Sequence, residues 1–267
     1  MTYTDALDPQ HIEKALAGRT IGQRIVYYPR IDSTNRAARA LALQGNAHGW
    51  VVLADEQSAG RGRLDRRWRS SAGEDVLASI IIHPELAPAQ GFRLTMIASI
   101  AVVLAVKRIC AIACGIKWPN DICLNGRKLC GILSEGQTEN ERMQFMVIGI
   151  GLNVNSSMAG RKDLAYTAVS LRDAAGIPCD RTALVIALLE EFDALYAAVH
   201  ENAGEHIRQL WQQHAMMLGR QVSITGGDTV VCGIASAVTP DGSLIVRDDQ
   251  GRDHSIVCGD LSLRLNS

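Results

Sequence analysis

Residues 60–69 carry the residue types best suited to chemistry in this chain, reading Gly-Arg-Gly-Arg-Leu-Asp-Arg-Arg-Trp-Arg. Glycine lets a backbone turn tightly and approach a ligand closely, while each arginine offers a rigid fork of N–H donors. Guanidinium groups bind carboxylates and phosphates through paired, charge-assisted hydrogen bonds. The segment lies between two apolar, strand-like runs at 50–54 and 76–82. The pattern predicts a loop that binds a carboxylate or phosphate, with a solvated basic loop or a nucleic-acid contact as the alternative.

A second polar cluster, residues 32–35, reads Asp-Ser-Thr-Asn and begins a predicted helix that ends near residue 43, with Ser33 as its N-cap. Hydroxyl and amide groups at a helix start suit a neutral polar ligand or an anion. A plain helix cap would have the same sequence. Gln57, just before the arginine-rich segment, adds another amide. These residues predict a polar site beside that segment.

A third cluster, residues 117–121, reads Lys-Trp-Pro-Asn-Asp and precedes a hairpin with an Asn-Gly turn at 125–126. Lys128 follows among apolar residues, where an ammonium group requires a nearby anion. That anion is either a ligand or a structural partner such as Asp121 or Glu135. Asp121 is also a candidate for metal binding or for accepting a proton from a nucleophile, although a carboxylate in a surface turn would look the same.

Residues 149–153 read Gly-Ile-Gly-Leu-Asn, which lacks the third glycine of a dinucleotide-binding loop. The sequence contains no Walker loop, no Gly-x-Ser-x-Gly nucleophile turn and no His-Glu-x-x-His motif. Its seven cysteines match no common zinc spacing. The chain thus offers cations without a clear nucleophile or metal cage. That combination favours activation of a carboxylate by a nucleotide, which depends on positioning and charge neutralisation.

Composition limits the setting of this chemistry. The 267 residues suffice for one large core plus a smaller module, and 47% hydrophobic content favours a folded protein. A formal net charge of −1 argues against general attraction to nucleic acid or membranes. The opening residues resemble no secretory signal, and the apolar run 94–106 is too short to span a bilayer, so it predicts a buried helix. We expect free thiols and a soluble, cytoplasmic protein with no membrane partner.

Hydrophobic periodicity predicts the elements that position these clusters. A short amphipathic helix is expected within residues 1–22. Strands are predicted at 25–28, 50–54, 76–82, 122–124, 128–133 and 145–150. Helices are predicted at 91–110, from about 180 to 200 and from about 205 to 217, the last two for core packing only.

From residue 219 the pattern changes to short β-prone runs separated by turn signals rich in Gly, Asp and Pro. Four strands are predicted there, at 222–224, 230–235, 244–246 and 254–257. About fifty residues of this kind predict a small β-barrel module. Because no low-complexity linker precedes it, we expect it to pack directly against the larger part.

Taken together and in this order, the clusters resemble the biotin–protein ligase family. The matching motifs are residues 32–35, Gln57 with 60–63 and Trp68, 117–121, 127–133 and 149–155. Five ordered motifs are far more specific than any one of them. The tail also resembles the SH3-like C-terminal module of that family.

The resemblance implies an α+β fold, with a mixed β-sheet and flanking helices related to class II tRNA synthetases, plus a small C-terminal SH3-like β-barrel. It implies a short N-terminal helical segment at 1–22, a catalytic biotin- and ATP-binding domain at 23–218 and the SH3-like domain at 219–267. It also implies two chemical steps. The carboxylate of biotin attacks the α-phosphate of ATP with Mg²⁺, giving biotinyl-5′-AMP and pyrophosphate. A lysine of a biotin carboxyl carrier domain then displaces AMP.

By matched position, the resemblance also assigns roles to residues. Those that would face the ureido head group of biotin and its surroundings are Ser33, Thr34, Asn35 and Gln57. The loop that would close over the carboxylate and phosphates, retaining the adenylate, contains Gly60, Arg61, Gly62 and Arg63. Trp68 would support the shape of this loop, with stacking on adenine as the alternative.

The remaining assignments lie on the hairpin and the strand after it. Lys128, in the same motif as Gly131, would bind the biotin carboxylate and the α-phosphate and stabilise charge in the transition state. Asn120 and Asp121 would position ATP, Mg²⁺ or the incoming lysine. Asn153 would lie near the adenylate. The resemblance assigns no metal ligand.

Two features limit the resemblance. Asp65 stands where the loop of the family usually has a glycine, which predicts a stiffer loop. Only about two dozen residues precede the first predicted strand, too few for the winged helix-turn-helix of some relatives, so we expect a ligase that does not bind DNA. The sequence leaves open whether the chain forms a homodimer.

Two other functions fit parts of the pattern. Lipoate–protein ligases share the fold and the adenylation chemistry, but the arginine-rich segment and residues 117–121 favour biotin. A non-catalytic biotin-binding protein would keep the pocket while losing a catalytic cation, whereas Arg63 and Lys128 are both present. We therefore expect a biotin–protein ligase.

Overall fold

The computed structural model describes residues 6–64, 66–159, 164, 166–199, 204–226 and 229–263. The chain forms a mixed seven-stranded sheet with flanking helices, followed by a five-stranded antiparallel sheet. The predicted mixed sheet with flanking helices is confirmed.

The larger sheet has seven strands: β1 Ile25–Tyr28, β2 Val51–Ala54, β3 Val76–Ile82, β4 Gly115–Lys117, β5 Asp121–Leu124, β6 Arg127–Glu139 and β7 Arg142–Leu152. Their order is β1-β2-β3-β7-β6-β5-β4, in which β1 and β2 are parallel and the other neighbours are antiparallel. The helices are α1 Pro9–Ala15, α2 Thr34–Leu43, α3 Phe92–Cys110, α4 Leu171–Ala175, α5 Arg181–Val199 and α6 Gly204–His214. A short 3₁₀ helix, Pro88–Gln90, precedes α3.

The two faces of this sheet are covered differently. On one face, Ile80 and Ile150 belong to the main core, which also contains the buried side chains of α3 and α5. On the other face, α2 covers a smaller core that includes Val52, Ile81 and Val147. α2 reaches only part of that face, and the glycine-rich remainder forms the floor of a cavity.

By length and composition alone, the helical stretch 88–110 that contains α3 could cross a membrane. Its middle is buried within the chain, including Ile97, Ile100 and Val102, against strands, α5 and α6. A helix that is apolar on every side is typical of a protein core as well as of a membrane span. The sequence prediction of a buried helix is confirmed.

β5 and β6 form the hairpin predicted from the Asn-Gly pair. Asn125 and Gly126 have φ angles of 50° and 76°, the left-handed pair that a type I′ turn requires. β6 continues to Glu139, well past the predicted strand end at 133, because β7 pairs with it along that length. The hairpin holds Asp121 opposite Gly131, at the edge of the cavity.

The C-terminal sheet has the order β11-β10-β9-β8-β12. Its strands are β8 Gln221–Gly226, β9 Thr229–Val238, β10 Leu244–Arg247, β11 Asp253–Ile256 and β12 Asp260–Leu263. It packs directly on the larger part, as expected, since Trp118 Nε1 donates a 2.9 Å hydrogen bond to Gly242 O. A Cβ on Gly242 would lie 2.0 Å from the Phe92 ring, which shows how closely the two parts approach.

The differences from the predicted elements are small. The four predicted C-terminal strands are confirmed, whereas β12, β4 and α4 were not predicted, because three to five residues are too few for a clear periodic pattern. α6 ends at His214 rather than near residue 217. Residues 227–228, part of a predicted turn, lie outside the described residues.

Candidate active site

A cavity of about 760 Å³ opens where α2 leaves the larger sheet uncovered. The predicted site residues that line it are Ser33, Thr34, Asn35, Gln57, Arg61, Gly62, Arg63, Trp68, Asn120, Asp121, Lys128, Gly131 and Asn153. Gly60 lies just beside the lining, with Trp68 O 2.6 Å from where its Cβ would stand. Clusters that are distant in sequence therefore meet at one cavity, within the size range of small-molecule sites.

Three glycines on the floor of this cavity leave room for neighbouring side chains. A Cβ on Gly149 would lie 2.1 Å from Asn35 Oδ1, and one on Gly151 would lie 2.5 Å from the Trp68 ring. A Cβ on Gly131 would lie 3.1 Å from the same ring. The Gly-x-Gly pair of β7 thus makes room for two side chains of the site, a role unrelated to dinucleotide binding.

The glycine–arginine loop, residues 60–69, is a compact hairpin. Gly62 N donates to Arg66 O at 2.7 Å, and Trp68 N donates to Gly60 O at 3.0 Å, so the two arms are held together. Asp65 lies outside the described residues, and the stiffness expected from it stays a prediction.

The segment that carries this loop is tied at both ends by Arg181. The Arg181 side chain is fully buried, and its Nη1 donates to Asp55 Oδ1 at 2.9 Å and to Asp75 O at 3.1 Å. Asp55 follows β2 and Asp75 precedes β3, so one guanidinium joins both stems. Tyr27 donates a 2.6 Å hydrogen bond to Asp55 Oδ2, and burial together with this bond raises the pKa of Tyr27 to about 12.

Sequence reasoning assigned α5 to core packing alone and missed this role of Arg181. The available signal was an arginine at the start of a helix whose residues 183–189 are all apolar. A charged residue is almost never fully buried unless it is paired, so that position called for a polar partner. Nothing in the sequence indicated that the partners would be the two loop stems.

Lys128 lies at the edge of the floor, with 38% of its side chain exposed. Its Nζ is 2.6 Å from Asp121 Oδ1 and 5.8 Å from the centre of the Trp68 ring, a cation–π distance. The anion that the sequence required is therefore Asp121, while Leu129 and Cys130 beside it are fully buried as predicted. Because Lys128 is partly exposed and lines the cavity, it can also bind a ligand anion there.

Arg61 and Arg63 line the same cavity as Lys128. Arg61 Nη1 lies 2.9 Å from Glu135 Oε1, and Arg63 Nη1 donates to Asn120 Oδ1 at 3.0 Å. Two guanidinium groups and one ammonium group therefore line a single cavity. Within the part of the chain that the structure describes, seven arginine and lysine side chains line this cavity against two carboxylates, those of Asp121 and Asp260. Such an excess of one charge in a concave site concentrates ligands of the opposite sign.

The polar cluster at the start of α2 reaches the cavity, but not through the predicted cap. Ser33 occupies the N-cap position, yet its hydroxyl makes no capping hydrogen bond to a described residue. Gln57 Oε1 binds the start of the helix instead, because it accepts hydrogen bonds from Thr34 N at 2.8 Å and from Thr34 Oγ1 at 3.1 Å. The Ser33 hydroxyl lines the cavity instead, where it can bind a ligand.

Asn35 lies almost fully buried beneath this cluster and uses both N–H groups of its amide within the protein. Its Nδ2 donates to Leu133 O at 3.2 Å and to Glu135 Oε2 at 2.8 Å. Its Oδ1 accepts from the buried Ser79 hydroxyl at 2.7 Å. One lone pair of Oδ1 is left over, so Asn35 is better suited to shaping the site than to donating to a ligand.

Asn153 also lines the cavity while its amide binds the protein. Its Nδ2 donates to Val169 O at 3.1 Å, and its backbone N donates to Leu129 O at 3.0 Å. These bonds support the strand that carries Lys128.

Four further residues of the predicted clusters line the cavity although no individual role was assigned to them: Arg66, Arg67, Arg69 and Lys117. Residues 259–262 also line it and were not predicted. Arg66 forms an ion pair with Asp260 of β12, so the C-terminal sheet closes one side of the cavity and contacts the glycine–arginine loop. This contact joins residues almost two hundred positions apart, and no local pattern could have indicated it.

The cavity combines cations with amides and hydroxyls. Among the described residues, no three His, Cys, Asp or Glu side chains cluster as a metal site. No disulfide joins any of the seven cysteines, all of which lie within the described residues. Burial raises the pKa of the Cys130 thiol well above its usual range, which makes it a poor nucleophile. The arrangement is suited to binding an anion and stabilising charge as it develops.

Family comparisons agree with this geometry. Residues 27–153 match the Biotin/lipoate A/B protein ligase family, and residues 217–264 match the Biotin protein ligase C terminal domain. The first match contains all the predicted site residues, and the second contains the C-terminal sheet.

Individual relatives match over most of their length. The Bifunctional ligase/repressor BirA of Bacillus subtilis is 34% identical, over 92% of this chain and 76% of the relative. The Biotin--[acetyl-CoA-carboxylase] ligase of Mycobacterium tuberculosis is 31% identical over 98% of both proteins. The protein of that name from Paracoccus denitrificans is 32% identical, over 84% of this chain and 94% of its own length.

A solved structure shows the same fold. The biotin protein ligase from Aquifex aeolicus in complex with biotin and ATP superimposes with a TM-score of 0.77, at 24% identity, covering 91% of this chain and 100% of that one. At this identity the likeness concerns the fold alone. Together with relatives above 30% identity that match almost end to end, it leads to one conclusion. The chain belongs to the biotin protein ligase family.

Proposed function

We propose that this protein is a biotin–[acetyl-CoA-carboxylase] ligase, which activates biotin with ATP to biotinyl-5′-AMP and transfers biotin to a lysine of a biotin carboxyl carrier domain. The observation that carries the proposal is the convergence of Arg61, Arg63 and Lys128 on one cavity. Joining a carboxylate to an α-phosphate brings negative groups together, and fixed cations lower the cost of doing so.

Lys128 is the residue proposed to act on the reacting atoms. Its partly exposed ammonium group would bind the biotin carboxylate and the α-phosphate, and the negative charge that develops during transfer would strengthen both contacts. Asp121 holds Nζ at 2.6 Å and thereby directs it. We also propose that Asp121 accepts a proton from the incoming lysine in the second step.

The glycine–arginine loop is proposed to retain the adenylate. Arg61 and Arg63 would contact the carboxylate and phosphate oxygens, with Gly60 and Gly62 letting the backbone come close. Trp68 would support the loop from the cavity floor, where it lies against Gly151. Retention matters because a free acyl-adenylate reacts with any lysine it meets.

The ureido head group of biotin is proposed to bind near the start of α2. Ser33, Thr34 and Gln57 all line the cavity there. Because the Thr34 hydroxyl already donates to Gln57 Oε1, the groups proposed to bind the ligand are the Ser33 hydroxyl and Gln57 Nε2. Asn35 would act mainly by shaping this region, since its two N–H groups already bind Leu133 and Glu135.

ATP is proposed to enter with Mg²⁺. Mg²⁺ needs only one or two protein carboxylates when phosphate oxygens and waters complete its shell, and Asp121 beside Asn120 fits that demand. The ion would neutralise phosphate charge, while Asn120 and the nearby Asn153 would help position the nucleotide.

The finer architecture belongs to the same proposal. We assign residues 23–218 to a catalytic domain related to class II tRNA synthetases and residues 219–267 to an SH3-like β-barrel, after an N-terminal segment at 1–22. We also propose a cytoplasmic location, because a chain whose seven cysteines form no disulfide suits that reducing compartment. Whether two copies form a homodimer is a separate question, which sedimentation would answer.

A direct assay tests the function. The purified protein is mixed with ATP and either biotin or lipoate, and pyrophosphate release is measured. We expect release with biotin, followed by biotin transfer when a carrier domain is added. Release with lipoate and not with biotin would instead identify a lipoate ligase, and no release with either acid would reject adenylation.

A further inference from the structure

The region proposed for the biotin head group and the region proposed for the phosphates are connected through one side chain, that of Glu135 on β6. Its Oε2 accepts a hydrogen bond from Asn35 Nδ2 at 2.8 Å, and its Oε1 lies 2.9 Å from Arg61 Nη1. Each carboxylate oxygen therefore holds a different part of the site. Glu135 is not among the residues that line the cavity, so it acts through these two partners.

The other contacts of Asn35 make the Glu135 bond important. With Oδ1 accepting from Ser79 and one N–H committed to Leu133 O, the second N–H points at Glu135. Gly149 leaves little space above this amide, since a Cβ there would stand 2.1 Å from Oδ1. The carboxylate thus completes a set of bonds that fixes which way the amide faces.

The Arg61 contact has a different character. The side chains of Arg61 and Glu135 are 42% and 27% exposed, so both remain in reach of water. An ion pair this exposed contributes little to folding stability. Its effect is local, because it holds one guanidinium of the glycine–arginine loop at a defined point above the sheet.

We propose that Glu135 is a positioning residue that couples the head-group region to the glycine–arginine loop. The same carboxylate sets the amide of Asn35 and the guanidinium of Arg61, so a ligand that settles against one is aligned with the other. The identity of the bound ligand rests on the proposed function, whereas the coupling rests only on the contacts of Glu135.

The test uses Glu135→Ala, with Glu139→Ala as the matched control at an exposed position near the end of the same strand. Biotin affinity is measured by calorimetry without ATP, and adenylate release is measured after ATP is added. We expect Glu135→Ala to weaken biotin binding and to speed adenylate release, each by about tenfold, which is the effect of losing one charge-assisted contact. The control should match wild type.

A second variant separates the contact with Asn35 from the contact with Arg61. Glu135→Gln can keep its one amide oxygen as the acceptor for Asn35, and it then presents an NH2 group, which cannot accept, to Arg61. We expect its biotin affinity to stay near that of wild type while adenylate release speeds up. Equal thermal midpoints for the variants and the control would show that the losses are not due to unfolding.

A third measurement does not depend on ligase activity. Trypsin cleaves after arginine, and loosening Arg61 should raise the rate of cleavage after Arg61 and Arg63 several-fold in unliganded Glu135→Ala, as followed by mass spectrometry. If cleavage, biotin affinity and adenylate release all match the Glu139→Ala control, the coupling is rejected. If wild type forms no adenylate but the cleavage rates differ as expected, the proposed function fails and the coupling stands.

Discussion

The indole of Trp68 lies directly on Gly151, so closely that a Cβ at this glycine would stand 2.5 Å from the ring. The contact joins the glycine–arginine loop to the sheet floor. The ring also lies 5.8 Å from Lys128 Nζ, so it contacts the hairpin cation as well as the sheet floor. The position of the Trp68 ring beside Lys128 therefore requires that residue 151 of β7 have no side chain.

Gly151→Ala should displace Trp68 and spread the loop away from Lys128. Inserting a methyl group against a rigid ring typically costs about 1–3 kcal/mol of folding free energy. We expect a loss of that order in urea denaturation and a larger proportional loss of pyrophosphate release. Gly136→Ala on β6 is the control, since its Cβ would meet its nearest neighbour at an ordinary 3.4 Å. Wild-type turnover in Gly151→Ala would mean that the indole does not space the cations.

Lys128→Ala should abolish most adenylation while leaving the fold intact. Removing one group that stabilises developing charge typically lowers the rate about a hundredfold or more. The Lys128 side chain is partly exposed, so circular dichroism and the thermal midpoint should change little. Lys14→Ala, an exposed lysine in the last turn of α1, serves as the control in pyrophosphate-release assays. Unchanged turnover in Lys128→Ala would reject its assigned role.

Arg63→Gly should let the adenylate escape. The substitution removes the guanidinium that donates to Asn120 at 3.0 Å and leaves the cavity floor in place. We expect biotin to label lysines of a bystander protein mixed into the reaction, as detected by avidin blotting. A variant that still labels only the carrier domain would count against the retaining role of the loop.

His214 should make stability depend on mildly acidic pH. Burial lowers the pKa of His214 below its usual value of 6.5, and the nearby charge of Lys107 acts in the same direction. The unfolded chain therefore takes up a proton before the folded one does. The contribution of neutral, buried His214 to the free energy of unfolding is therefore complete above pH 6.5 and decreases as the pH falls toward the folded-state pKa.

His214→Gln tests this dependence. Urea denaturation at several pH values between 7.5 and 5 should give wild type a steeper loss of stability on acidification than the variant. Parallel curves for the two proteins would show that another group controls the acid response.

Much of the scaffold follows from local sequence patterns. Strand β3, Val76–Ile82, matches its predicted bounds because six apolar residues and one serine between turn signals leave little other choice. The hairpin turn is equally local, since Asn125 and Gly126 tolerate positive φ better than other residues. The three polar clusters stood out because each follows or precedes such an element.

The supporting contacts were not accessible in that way. Arg181 meets Asp55 across 126 positions, and Glu135 meets Asn35 across 100. In the sequence alone, Arg181 and Glu135 look like ordinary charged residues on a helix and a strand. Only the fold brings such partners together, so the residues that hold the site were less visible than those expected to touch the ligand.

The anchorage of both loop stems on Arg181 has a consequence for engineering. Between Asp55 and Asp75 the chain leaves the sheet and returns to it at points fixed by one buried guanidinium. A graft that keeps both anchors inherits this take-off geometry. To keep its contacts with α2, β12 and the sheet floor, it must also retain Gln57, Arg66 and Trp68.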